Sequence, residues 1–96
     1  MKQLTIMCSS DLAGKVQAAL VSANVEGFLQ VPNVIGNRPA AAAEHGRVPH
    51  WEAEMFIAAI EDDALESLVT SLRSHADQCD VDPCLRILVK SLDAVY

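Results

Sequence analysis

Aromatic residues are scarce in this chain: two Phe, one Trp and one Tyr make up 4 % of its 96 residues. Since 51 % of the residues are apolar, the core must be built from Ala, Val, Leu and Ile, with no large ring-centred cluster to organise it. Basic residues are few as well. Seven Lys and Arg against thirteen Asp and Glu give a formal net charge of −6, and the seven form no cluster. Affinity for a phosphate backbone comes largely from clustered cations that release counterions, so nucleic acid is excluded as a partner.

Long apolar runs are missing too. The opening MKQLTIMCSSD meets a charge and helix-start residues before any apolar stretch of signal-peptide length. No segment approaches the roughly 20 apolar residues of a membrane span. The expectation is a cytoplasmic protein that is not itself membrane-embedded. Three cysteines, an odd number without an export signal, are expected as reduced thiols unless a local pair is redox-active. A catalytic constellation is also lacking. Ser9 and Ser10 have no positioned base and read as helix caps, while Asp62-Asp63 and Glu52-Glu54 suit capping and an exposed strand face better than acid–base work. The chain is expected not to be an enzyme.

What is present is a regular succession of elements within one domain spanning residues 1–96. Lys2 to Cys8 alternates, with Leu4, Ile6 and Cys8 on one face and Gln3, Thr5 and Met7 on the other, the period of a half-buried strand. Ser9, Ser10 and Asp11 supply capping oxygens for a helix whose Leu12, Val16, Ala19, Leu20 and Ala23 recur at helical spacing, ending between Asn24 and Gly27. A second strand runs from Phe28 to Ile35, with Leu29, Val31 and Ile35 sharing a face and Pro32 requiring an edge or a bulge. Trp51 to Ile60 forms a third. Asp63 and Glu66 fit a capping box ahead of Leu65, Leu68, Val69, Leu72 and Ala76, and Leu85 to Leu92 reads as the last strand.

The order is βαββαβ, which predicts an α+β, ferredoxin-like fold: an antiparallel four-stranded sheet with two helices on one face. The opposite face would carry Met7, Phe56 and Leu88 uncovered in a monomer, so self-association through the sheet is expected. Between the second and third strands lies GNRPAAAAEHGRVPHW, too rich in Gly, Pro and Ala for a strand and too long for a tight turn. Long irregular loops in economical domains are usually functional, so residues 36–50 are the first place to look for activity.

With that order in hand, GFLQVPNVIG, the Gly- and His-containing loop after it and HWEAEMFIAAIEDD together resemble the short PII-like and CutA-like proteins of the nitrogen regulatory PII superfamily. The resemblance implies a homotrimer with its sheets inward, whose loop between strands two and three (the T-loop) closes over a ligand at the subunit clefts or touches a target. It further implies a signalling protein that regulates a protein partner, such as a membrane transporter, and places ligand contacts on Gly36, Asn37, Arg38, Gly46 and Arg47. One segment departs from the pattern. Typical PII proteins have a glycine-rich phosphate cradle before the last strand, whereas this chain has HADQCDVDPC, acidic and free of glycine. Converging backbone amides hold phosphate and aspartates repel it.

Four constellations are candidates for chemistry. Arg38 and Arg47 bracket the loop, where guanidinium forks suit a small anion such as a carboxylate, bicarbonate or phosphate, the last alone or as part of a nucleotide. Glu44, His45 and His50 carry carboxylate and imidazole suited to a divalent metal such as zinc or copper, the CutA-like alternative; against it stands a merely solvated loop. Cys79 and Cys84 flank a short turn and form a redox pair, join His75 as soft metal ligands or stand as two ordinary thiols, while Cys8 belongs to the core. Trp51 is assigned to a subunit interface, with stacking on a ligand as the other reading. A ligand-independent interaction module, gripping its target through the loop alone, is the remaining alternative.

Overall fold

The structure is a computed structural model that describes residues 1–37, 50–77 and 84–96. Strands β1 (Lys2–Ser9), β2 (Phe28–Asn37), β3 (His50–Ile60) and β4 (Leu85–Ser91) form one sheet in the order β2-β3-β1-β4, and every neighbouring pair is antiparallel. Helix α1 (Ala13–Ser22) joins β1 to β2 and α2 (Leu65–Ala76) joins β3 to β4. Each connection therefore skips one strand, and the two βαβ units interlock. This is the expected ferredoxin-like arrangement.

Alternation on the central strands decides where the core lies. Leu4, Ile6 and Cys8 of β1 stand opposite or beside Ala58 and Phe56 of β3, and all are nearly or completely shielded from solvent. Val16, Ala19 and Leu20 of α1 and Leu68 and Leu72 of α2 close over them. The single aromatic contact, Phe28 to Phe56 with centroids 5.9 Å apart, sits at the margin of this cluster. A core that is otherwise aliphatic is what the scarcity of rings required. Asn24, at φ 56°, ends α1 in the left-handed conformation that an Asn tolerates after a helix.

Several expectations are corrected. Phe56 was expected on the uncovered face, yet it pairs with Ile6 on the helix side and is 0 % exposed. The apolar stretch FIAAI carries no polar partner to mark which side faces the helices, so its phase is invisible without the pairing. In β2 the shared face of Leu29, Val31 and Ile35 is broken by a bulge between Val31 and Val34, where Pro32 lacks an amide and Asn33 adopts φ 60°. Beyond the bulge Val34 pairs with Ala53 and Gly36 with Trp51, so Val34 and Gly36 join the face of Leu29 while Ile35 turns to the other. Neither helix uses the side-chain caps expected of it. Ser9 extends β1, and 3₁₀ turns at Ser10–Leu12 and Asp62–Ala64 lead into the helices with no side-chain cap bond.

The hairpin is also longer than expected. The ladder continues to Asn37 opposite His50, so Gly36, Asn37 and His50 belong to strands and the loop boundaries draw in from 36–50. Residues 38–49 lie outside the described residues.

Because Phe56 is the largest side chain at the centre of the only face the helices cover, Phe56→Ala should lower unfolding free energy by about 3–5 kcal/mol. Ile35→Ala, on an exposed edge of the hairpin, should change it by under about 1 kcal/mol. Urea unfolding followed by circular dichroism measures both.

Candidate functional site

Among the described residues, no helix or strand covers the face of the sheet away from the helices. Gln3, Thr5 and Met7 of β1 run along its middle, flanked by Met55 and Ile57 of β3, Leu29 and Val31 of β2, and Arg86 and Leu88 of β4. Leu29 is 66 % and Leu88 50 % exposed, values foreign to the centre of a covered sheet. A hollow of about 570 Å³ lies at one end of this face, between Leu29, Ile57 and the chain's C-terminal Leu92 and Val95. At the other end, where the hairpin leaves the body, is a cavity of about 350 Å³.

That second cavity is assembled by all four strands. β1 contributes Met7 and Cys8, β2 the segment Val34 to Asn37, β3 Trp51 and Ala53, and Arg86 of β4 enters beside Met7. Gly36 is required by close approach. It stands opposite Trp51, and a Cβ at position 36 would collide with Cζ2, Cε2 and Cη2 of that indole. The ring therefore rests on bare backbone, a known way for an aromatic to cover a strand glycine. Arg86 makes no ion pair or hydrogen bond with any described residue. It is the only charged side chain among the described residues of the lining.

Of the residues expected to hold a ligand, Gly36 and Asn37 border this cavity, whereas Arg38, Gly46 and Arg47 lie outside the described residues. Arg86 was missed. Its signal was an arginine in the alternating strand LRILVK, phased to the bare face, which only the pairing with Met7 reveals. Of the candidate metal ligands, His50 is exposed at the end of β3 opposite Asn37, and Glu44 and His45 lie outside the described residues. Among the described residues no group of three or more His, Cys, Asp or Glu could hold a metal. Trp51, assigned to an interface, stands half-buried on the bare face against Gly36.

The cysteines divide. Cys8 is free and buried, as expected of a core thiol. Burial, and then the nearby Glu54 carboxylate, push its pKa up to about 11. Glu54 is itself held by a 2.7 Å hydrogen bond donated by Gln30 Nε2. Cys84, for which a redox pairing was one of the open readings, is disulfide-bonded and only 6 % exposed. Its carbonyl accepts a 2.9 Å bond from the Ser9 amide, which fixes the start of β4 beside the cavity. Cys79, the other half of the expected redox pair, lies outside the described residues.

Comparison with known proteins agrees with this architecture. No family model matches the sequence, and no curated protein resembles it significantly. Among solved structures, CPII, a nitrogen regulatory PII-like protein from Thiomonas intermedia K12 solved with ADP, AMP and bicarbonate, superposes with a TM-score of 0.76 at 17 % identity, over 99 % of this chain and 92 % of that one. Its apo form gives 0.69 at 18 % identity, over 93 % and 85 %. A DUF3240 family protein from Shewanella baltica OS155 gives 0.73 at 15 % identity, over 99 % and 93 %. The chain has the PII-like fold. No helix among the described residues is long and apolar enough to cross a membrane.

Two outcomes follow from the site's geometry. Gly36→Ala should dislodge the indole from the strand, shifting the emission of the sole tryptophan to the red and costing about 1 kcal/mol of stability. In alkaline solution the unfolded chain releases the Cys8 proton near pH 9 while the folded chain holds it to about 11, so stability should fall as pH rises across that window. Cys8→Ala should flatten that decline in unfolding titrations.

Proposed function

We propose that the chain is a non-enzymatic, cytoplasmic sensor in which three copies associate through their bare sheet faces. A small ligand binds at the clefts between subunits, and the loop between β2 and β3 carries the response to a protein target such as a membrane transporter. The observation that supports this most is a coincidence of place: the cavity holding an arginine with no partner among the described residues opens on the uncovered face, at the point where the loop leaves β2 and returns to β3. Covering the face with other copies turns that cavity into a seam, and a ligand held there touches the root of the loop directly. Coupling by contact with a loop root needs only that the ligand favour one loop arrangement over another.

The ligands of CPII, namely ADP, AMP, bicarbonate and acetate, support a small anion or nucleotide here. The cavity suits binding over chemistry. Its described lining offers one guanidinium, one indole, the Asn37 amide and two cysteines among otherwise small or apolar groups, with no base positioned against a nucleophile. Calorimetric titration with AMP, ADP and bicarbonate, paired with hydrogen exchange across residues 36–50, tests the reading. At least one of the three should bind once per chain and slow exchange in the loop. If none binds, or if binding leaves the loop's exchange unchanged, the sensor reading fails.

A further inference from the structure

The geometry points to Trp51 and Arg86 as a two-part selector for flat ligands that carry a single acid group, the ring stacking on the indole and the acid meeting the guanidinium. This specifies the ligand class for the cleft of the sensor reading and rests on it.

The ring side of the selector is set by Gly36. With no Cβ at that position, the Trp51 indole settles against the β2 backbone and borders the cavity from a fixed seat. A large aromatic held this way offers stacking surface at little further entropic cost, because its two side-chain torsions are already restricted by the strand beneath it. Of the remaining lining, Met7, Val34, Ile35 and Ala53 are apolar and suit a hydrocarbon or heteroaromatic body, and Asn37 adds one side-chain amide. A volume of about 350 Å³ lies at the small end of ligand cavities and has room for a ligand the size of a fused bicycle.

The acid side is set by charge. Arg86 has no carboxylate partner among the described residues, and no Asp or Glu joins it in the described lining. A guanidinium in a mostly apolar cavity gains a charge-assisted, bidentate contact from one carboxylate or one phosphate oxygen pair. A second acid group on the ligand would find no second cation in the described lining. Selection therefore runs against neutral ligands, which leave Arg86 without a partner in the described lining, and against ligands with a second acid group.

The test uses three probes of one shape: 2-naphthoate, the neutral 2-naphthamide and naphthalene-2,6-dicarboxylate. The full chain has a single indole N–H, so its resonance in a ¹⁵N correlation spectrum reports on Trp51 alone. 2-Naphthoate should move that resonance saturably and bind about tenfold more tightly than either of the other two, the factor expected for one charge-assisted contact. Arg86→Gln, an exposed substitution, should abolish the preference for the acid over the amide, and Trp51→Leu should weaken all three probes, with Trp51→Phe recovering part of the loss. Equal binding of acid and amide, an indole resonance unmoved at saturation, or a preference that survives Arg86→Gln would overturn the assignment. The sensor reading fails separately, since a nucleotide or bicarbonate that binds and slows loop exchange while leaving Trp51 and Arg86 indifferent would sink the selector alone.

Discussion

A sheet with helices on one side only has one face to bury and one left over, and the rest of this structure follows from that asymmetry. On the helix side, Leu4, Ile6 and Phe56 disappear completely beneath α1 and α2. On the other, Leu29 and Leu88 stand open, with no described element to cover them. A small domain buries a smaller share of its surface than a large one, so an apolar sheet face left in water is a substantial loss that association recovers. The cavity at the hairpin root and the C-terminal hollow both lie on this second face. In the proposed reading, association, ligand capture and loop placement share one surface.

The hairpin makes that sharing specific. Its ladder runs past the body of the domain to Asn37 and His50, and the bulge at Pro32 and Asn33 rotates the outer part of β2 so that Val34 and Gly36, instead of Ile35, share the face of Leu29. Gly36 then admits Trp51, and the indole closes one side of the site. Arg86 closes the opposite side from β4. No single element could build this cavity; it exists because β1 brings the two outer strands' partners into register.

Element order was legible in the sequence because the periods are clean: two for Leu4, Ile6 and Cys8, and three to four for Val16, Ala19, Leu20 and for Leu68, Leu72. Fold class and the PII-like resemblance followed from that order. The phase of a uniformly apolar strand was not legible, which is why Phe56 was placed on the wrong face, and neither was the bulge, whose only sign was a proline already expected to need an exception. The candidate site was half visible. Gly36, Asn37 and Trp51 drew attention as the borders of an unusual loop, but Arg86 comes from the far edge of the sheet and joins them only through pairing across two strands. Local pattern cannot report a neighbour separated by such a distance in sequence.

Since everything turns on a sheet face too apolar to remain in water, the mass of the native particle is the most direct measurement. Native mass spectrometry or sedimentation equilibrium should find three copies of the 10.3 kDa chain, about 31 kDa, with Leu29→Glu and Leu88→Glu shifting the population to single chains that remain folded. A wild-type chain that stays at 10.3 kDa across the accessible concentration range, with its bare face in solvent, would contradict it.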